Sequence, residues 1–311
     1  MREVPEPSCG RDEVVVRVRA SALNRADLLQ REGRYPAPPG SPADIPGLEF
    51  SGEVLICGPD VGAWQPGDRV MGVVGGGAQA ERLRIHERLC LRVPPGMSFE
   101  QAAAVPEAFF TAFDALFARG GLIAGESVLI HAAGSGVGTA ATAIACASGA
   151  RVLALSRSAD KRRRLEDLGA HRAFDPGEVG LAASIAVALG GAGVDLVIDF
   201  LGAASGAINL DVLAPRGRLV LVGTLGGRKV EVDLGILMRK RISVVGTVLR
   251  SRPLEEKIHL VQEFSRTLLP LLATGRLSPV VDRVLPIAEA PAAHAAMERN
   301  ENFGKIVLTV P

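Results

Sequence analysis

The spacing of apolar residues changes rhythm near residue 126 and changes again near residue 250. Before 126 the apolar runs are short. EVVVRVR (13–19) combines β-branched residues with partial alternation, and GEVLICG (52–58) and DRVMGVV (68–74) follow. Between them lie turn residues: Gly33, Pro36, Pro38, Pro39, Gly40, Pro46, Gly47, Pro66 and Gly67. Many short strands with this punctuation predict a small barrel or folded sheet. A short helix fits 25–31, and a longer one fits 99–119, with Pro106 disturbing its first part. From 126 onward, apolar runs alternate with helical spacing. ESVLIHA (126–132), RVLALS (151–156), VDLVIDFLG (194–202), GRLVLVG (217–223) and ISVVGTVL (242–249) read as strands, with helices at 137–148 and 159–168. Such alternation predicts a parallel sheet covered by helices. The end returns to mixed character, with helices near 254–273 and 289–299 and a last strand, KIVLTV. No internal repeat or low-complexity segment interrupts this order.

The 311 residues suit about two domains. A 48% hydrophobic content with 22% charged residues supplies a core and excludes a disordered chain. A net charge of +1 gives no concentrated basic surface, so no nucleic-acid partner is expected. Cys9, Cys57, Cys90 and Cys146 stand apart, with no CxxC pair and no histidine at ligand spacing, so no structural zinc lobe is expected. No signal peptide opens the sequence and no run approaches a membrane span, which makes a cytoplasmic location the default.

The chemistry concentrates in the turn between the first strand and first helix of the α/β region, Ala133-Gly134-Ser135-Gly136-Val137-Gly138. A dinucleotide fingerprint needs this context. Glycines let the backbone approach the pyrophosphate, and a helix N-terminus presents free N–H groups. Only the third glycine of the usual Gly-x-Gly-x-x-Gly is in register here, and an ordinary glycine turn is the other reading. The second strand ends Ser156-Arg157-Ser158, with no acid at its tip to bind a ribose 2′-hydroxyl. Arg157, Ser158 and Lys161 suit a 2′-phosphate instead. Asp160 is placed in the first helical turn, and Arg162–Arg164 on a solvated helix face. NADPH is therefore expected over NADH.

At this level of detail the chain resembles the zinc-free, zeta-crystallin-like quinone oxidoreductases of the medium-chain dehydrogenase/reductase superfamily, and among them the stress-inducible NADPH quinone oxidoreductases. The resemblance rests on SALNRADLLQREGRYP (21–36), GLEFSGEV (47–54), QAAAVPEAFFTAFDAL (101–116), VLIHAAGSGVGTAA (128–141), TVLRSR (247–252) and NFGKIVL (302–308). It implies an α/β fold: a GroES-like, β-rich catalytic domain of 1–108 and 249–311 around a Rossmann doubly wound domain of 109–248. The family's first strand usually lies upstream of MREVPEP, so the resemblance implies either a missing strand, which would leave an unpaired edge, or a miscalled start. Zinc-dependent relatives carry a Cys where this chain has Asn24 and a His where it has Leu48. Glu49 remains, and no metal is implied.

By the same resemblance, Asn24 and Tyr35 line the nicotinamide and substrate pocket as catalytic residues. Tyr35 is the only tyrosine. Its ring suits stacking on a flat quinone, and its hydroxyl suits a bond to a reduced oxygen. The structural alternatives are a loop aromatic among prolines for Tyr35 and a helix cap for Asn24. Thr111, Gly202, Gly223, Thr224, Leu225, Gly246, Thr247, Leu249, Asn302, Phe303 and Lys305 are assigned to the cofactor. Packing explains Thr111 equally well, and a plain turn explains 302–305. Relatives carry tyrosines where Pro176 and Leu29 stand here. The implied activity is reduction of quinones by NADPH, with a homodimer formed through Rossmann sheet edges. ISVVGTVL is either that edge or an internal strand. Enoyl-thioester reduction and a non-catalytic crystallin-like or RNA-binding role are the alternatives.

Overall fold

A computed structural model describes residues 2–311. They divide into two compact units. One runs to Phe110 and resumes at Leu249, and the other is Thr111–Val248. The first is called the β-rich unit and the second the parallel-sheet unit.

The β-rich unit holds β1 (Glu13–Ala22), β2 (Glu49–Cys57), β3 (Arg69–Val73), β4 (Arg82–His86) and β5 (Cys90–Arg92). The parallel-sheet unit holds β6 (Ser127–Ile130), β7 (Arg151–Leu155), β8 (Arg172–Phe174), β9 (Val194–Asp199), β10 (Leu213–Leu221) and β11 (Ser243–Gly246). The chain then returns to the first unit with β12 (Val281–Pro286) and β13 (Lys305–Thr309).

The β-rich sheet runs β12-β13-β1-β2-β3-β5, with β4 also paired to β1. Strand β1 organises it. β2 and β13 both run antiparallel to β1, with Ser21 opposite Phe50 and Leu308. The start of β2, at Glu49, and the start of β13, at Lys305, therefore reach the same end of β1. Val14, Val16, Val18, Phe50, Val54 and Val70 fill the core on this sheet.

The longer helix expected over 99–119 is three pieces: Phe99–Ala103, Pro106–Phe113 and a π-helical turn, Asp114–Arg119. Pro106 begins a helix rather than bending one, because a first-turn proline has no N–H to waste. That start places Glu107 in the first turn.

The other sheet is entirely parallel, in the order β11-β10-β9-β6-β7-β8. Read from β6, this is a doubly wound order with its reversal between β6 and β9. β6 is buried throughout, as a central parallel strand must be. β11 is an edge strand of this sheet, so ISVVGTVL is not an internal strand. It ends at Gly246. The strands β4, β5, β8 and β12 are short or carry charges and a proline, and their pattern in the sequence was too weak to read. No helix among the described residues is long and apolar enough to cross a membrane.

Candidate functional site

In the parallel-sheet unit, the turn after β6 has the features a dinucleotide needs. His131 N–H bonds to Ile198 O across the β6/β9 reversal (3.0 Å). Ala132 takes the left-handed region at φ 42°, costing about 1 kcal/mol in a non-glycine residue. Ser135 caps the helix Gly136–Ala147, its Oγ accepting from Gly138 N–H (3.1 Å). As the first two residues of that helix, Gly136 and Val137 have N–H groups with no intrahelical carbonyl to bond. Gly138 is the position that admits no side chain. A Cβ there would lie 2.6 Å from Ala132 O and from Ala133 Cα. This backbone cradle with its outward amides fits a pyrophosphate.

The tip of β7 is held from below. Arg162 Nη1 donates to Ser156 O (2.8 Å), Arg157 O (3.0 Å) and Asp175 Oδ2 (2.9 Å). Arg162 therefore shapes this loop and does not belong to a purely solvated face. Ser158 caps the helix Ala159–Asp167 by accepting Lys161 N–H (3.3 Å), while the Arg157 side chain is exposed. Asp160 stands in that first turn, paired with Arg163 at 2.7 Å.

Beyond β9, the buried Asp199 carboxylate gathers four donors: Leu201 N–H, Gly202 N–H, Ser205 Oγ and Asn209 Nδ2. Gly202 adopts φ +74°, and a Cβ on it would meet Gly227 O at 2.6 Å. Gly223 N–H bonds to Asp199 O, so the tips of β9 and β10 are tied together. Asn209 Oδ1 accepts from His131 Nε2 (2.7 Å), which leaves the buried Nδ1 as an acceptor without a partner. Burial holds His131 below the usual imidazole range, against the pull of Asp199. Thr224 and Leu225 are exposed near these tips. Thr111 is half-buried, Gly246 is exposed at the end of β11, and Thr247 Oγ1 donates to Asp114 Oδ2 (2.6 Å).

In the β-rich unit, the convergence of β1, β2 and β13 produces a buried charged cluster. Lys305 Nζ lies 2.5 Å from Glu49 Oε1, with Lys305 3% and Glu49 0% exposed. The same Nζ donates to Asn24 Oδ1 (2.8 Å) and Leu23 O (2.7 Å). Asn24 Nδ2 donates to Glu49 Oε1 (2.9 Å), and Glu107 N–H donates to Glu49 Oε2 (2.8 Å). Asp27 is buried and accepts Asn24 N–H (2.7 Å) and Gly47 N–H (2.9 Å). Burial pushes the Asp27 carboxyl up to about 6, against those two donors. Burial, then the neighbouring Glu49 charge, pushes the Glu107 carboxyl up to about 8, although part of the residue is reached by solvent.

Tyr35 is half-buried beneath Arg250, whose guanidinium lies 4.8 Å from the ring centroid. Arg250 is 4% exposed and staples three segments through Tyr35 O, Gly75 O and Gln30 Oε1. Burial raises the Tyr35 phenol, and the Glu107 charge adds to it. Leu249 is buried beside a small cavity with Phe110, Leu260 and Val261. Asn302 Nδ2 donates to Gly304 O, and Phe303 N–H donates to Asp282 Oδ1. The Lys305 ammonium, assigned to the cofactor by resemblance, bonds to three oxygens inside the β-rich unit. Glu107 and Arg250 were not singled out in the sequence, although the PEA and LRSR stretches contain them.

Residues 10–108 match the alcohol dehydrogenase GroES-like domain, and residues 136–266 match the zinc-binding dehydrogenase domain. The chain is 32% identical to the quinone oxidoreductase of Rattus norvegicus over 98% of its own length and 91% of that protein. The chain belongs to the medium-chain dehydrogenase/reductase superfamily. Members of this superfamily with such a Rossmann-type unit use a nicotinamide cofactor. The chain is also 34% identical to a mycocerosic acid synthase-like polyketide synthase of Mycobacterium tuberculosis, over 97% of its own length but only 14% of that protein. Among solved structures, the CurK enoyl reductase superposes with a TM-score of 0.86 at 29% identity, covering 100% of this chain and 94% of that one.

The zinc named in one domain description does not fit the donors here. Leu48 offers no ligand atom, Asn24 is bonded at both ends of its amide, and both Glu49 oxygens are taken. No group of three His, Cys, Asp or Glu side chains stands ready for a metal among the described residues.

Proposed function

We propose that this chain is an NADPH-dependent, zinc-independent reductase of quinones. The observation that carries the reading is the state of Glu49. Its carboxylate is saturated by Lys305, Asn24 and the Glu107 amide, so no Lewis acid is provided for activating an alcohol. A quinone accepts hydride without such activation. The similarity to the rat quinone oxidoreductase supports the same substrate class.

When bound, the nicotinamide supplies the hydride equivalent. The protein's part is binding and proton handling. The Gly136 and Val137 amides receive the pyrophosphate, while Arg157, Ser158 Oγ and Lys161 receive the 2′-phosphate. Tyr35 presents a flat ring and a phenol to the quinone. Glu107, protonated at neutral pH, is a proton source within the electrostatic reach of that phenol. The exposed edge β11, with Val244 47% exposed, would pair two Rossmann sheets in a homodimer.

Enoyl-thioester reduction is the second reading, favoured by the superposition on the CurK enoyl reductase. One experiment separates the two: NADPH oxidation by purified protein with 9,10-phenanthrenequinone, beside a short enoyl-CoA, each repeated with NADH. Turnover of the quinone with NADPH supports the proposal. Turnover of the enoyl-CoA alone moves the chain to the second reading. NADPH binding with neither turnover favours a non-catalytic role. Arg157→Ala should lower the preference for NADPH over NADH by about tenfold, the loss of one charge-assisted contact.

A further inference from the structure

We propose that the Lys305 ammonium is a built-in cation of the β-rich site, claiming the Glu49 carboxylate and fixing the Asn24 amide, and so acts as a positioning residue and not as a cofactor ligand. An ammonium has three N–H donors. All three find oxygens inside one unit: Glu49 Oε1, Asn24 Oδ1 and Leu23 O, at 2.5 to 2.8 Å. None is left for a phosphate or a carboxamide. The three side chains close a ring of bonds, because Asn24 Nδ2 returns to the Glu49 oxygen that Lys305 holds. Asn24 is therefore fixed at both ends, with its amide also approaching Ala22 O (3.3 Å). What it can offer a ligand is one remaining carbonyl lone pair, in a direction set by Lys305.

The same ring explains how a fold with a zinc-binding description dispenses with the metal. A buried carboxylate must be paired. Here the counter-charge is covalently part of the chain, delivered when β13 docks on β1, with Leu23 N–H bonded to Ile306 O. A cation from solution would have to displace Lys305 before reaching Glu49. The inference concerns the site of the proposed reductase, but its readouts do not depend on which substrate is reduced.

The test uses the wild-type protein first. Reductive methylation with labelled formaldehyde, followed by peptide mass analysis, reports each of the five lysines. Lys305 should stay unmodified with and without NADPH, while the exposed Lys229 reacts. Ready methylation of Lys305 that NADPH suppresses would make it a cofactor ligand and overturn the proposal. The second arm compares Lys305→Met, Glu49→Gln and the pair. Each single change should lower Tm by on the order of 10 °C, because it strands a buried charge or donor. The double variant should lose clearly less than the sum, with NADPH affinity unchanged throughout by fluorescence titration. Additive losses, or an NADPH affinity that falls in Lys305→Met and is not restored by Glu49→Gln, would count against it. Loss of quinone turnover alone, with these readouts as stated, would sink the proposed reaction and leave the cation in place.

Discussion

The turn after β6 and the cluster around Glu49 are both polar features in apolar surroundings, built from different material. The turn uses backbone: two outward amides, a capping hydroxyl and a glycine with no room for a Cβ. The cluster uses side chains that are themselves buried and answer one another: Glu49, Lys305, Asn24 and Asp27. A backbone site is left open for a negative ligand to complete it. A side-chain cluster is complete as it stands. One region is left unsatisfied and the other saturated, and substitutions should affect them differently.

The largest effect is expected at Asp27. Asp27→Ala strands the amides of Asn24 and Gly47 in a buried site and should cost about 3 kcal/mol in chemical denaturation. NADPH affinity should not change. If affinity fell with stability intact, the separation of the two regions drawn here would be wrong.

Gly138→Ala tests the other side. The added Cβ meets backbone at 2.6 Å, so the turn must open, at about 2 kcal/mol and with a loss of NADPH affinity of at least tenfold by fluorescence titration. Retained affinity would show that the close approach is packing and not a nucleotide cradle.

The pH dependence of stability sharpens the comparison. Both raised carboxyls bind a proton more tightly folded than unfolded, so stability is highest below their ordinary values and falls as pH rises. Asp27 has lost its share by about pH 6, whereas Glu107 continues to lose until about pH 8. Because Glu107 keeps some contact with solvent, its share is about 1–2 kcal/mol. Glu107→Gln should flatten the Tm profile between pH 6 and 8 and raise Tm at pH 8. An unchanged slope would refute the shifted carboxyl.

The smallest effect is at Ser135. Ser135→Ala removes one helix cap and should cost about 1 kcal/mol, with a modest loss of NADPH affinity. An effect as large as that of Asp27→Ala would mean that the turn depends on side chains after all.

Much of the parallel-sheet unit is legible in the sequence. VLIHAAGSGVG places a strand, a turn and a helix start within a few residues of one another, and each is set by local rules of periodicity, φ freedom and capping. The edge position of β11 was not legible, because an apolar run reads alike at an edge and inside a sheet. The effect of Pro106 depends on whether the preceding helix continues; that helix ends at Ala103, and Pro106 opens the next one.

What the sequence determined by itself was the succession of elements, the α/β class with a β-rich partner, and the glycine turn after β6, because these depend on neighbours in the chain. Only the tertiary structure decided the charges. Asn24, Glu49, Glu107 and Lys305 lie far apart along the chain, and they meet because β2 and β13 flank the same end of β1. Whether a carboxylate there is open to a metal or closed by an ammonium depends on which cation reaches it first in space, and no local pattern carries that information.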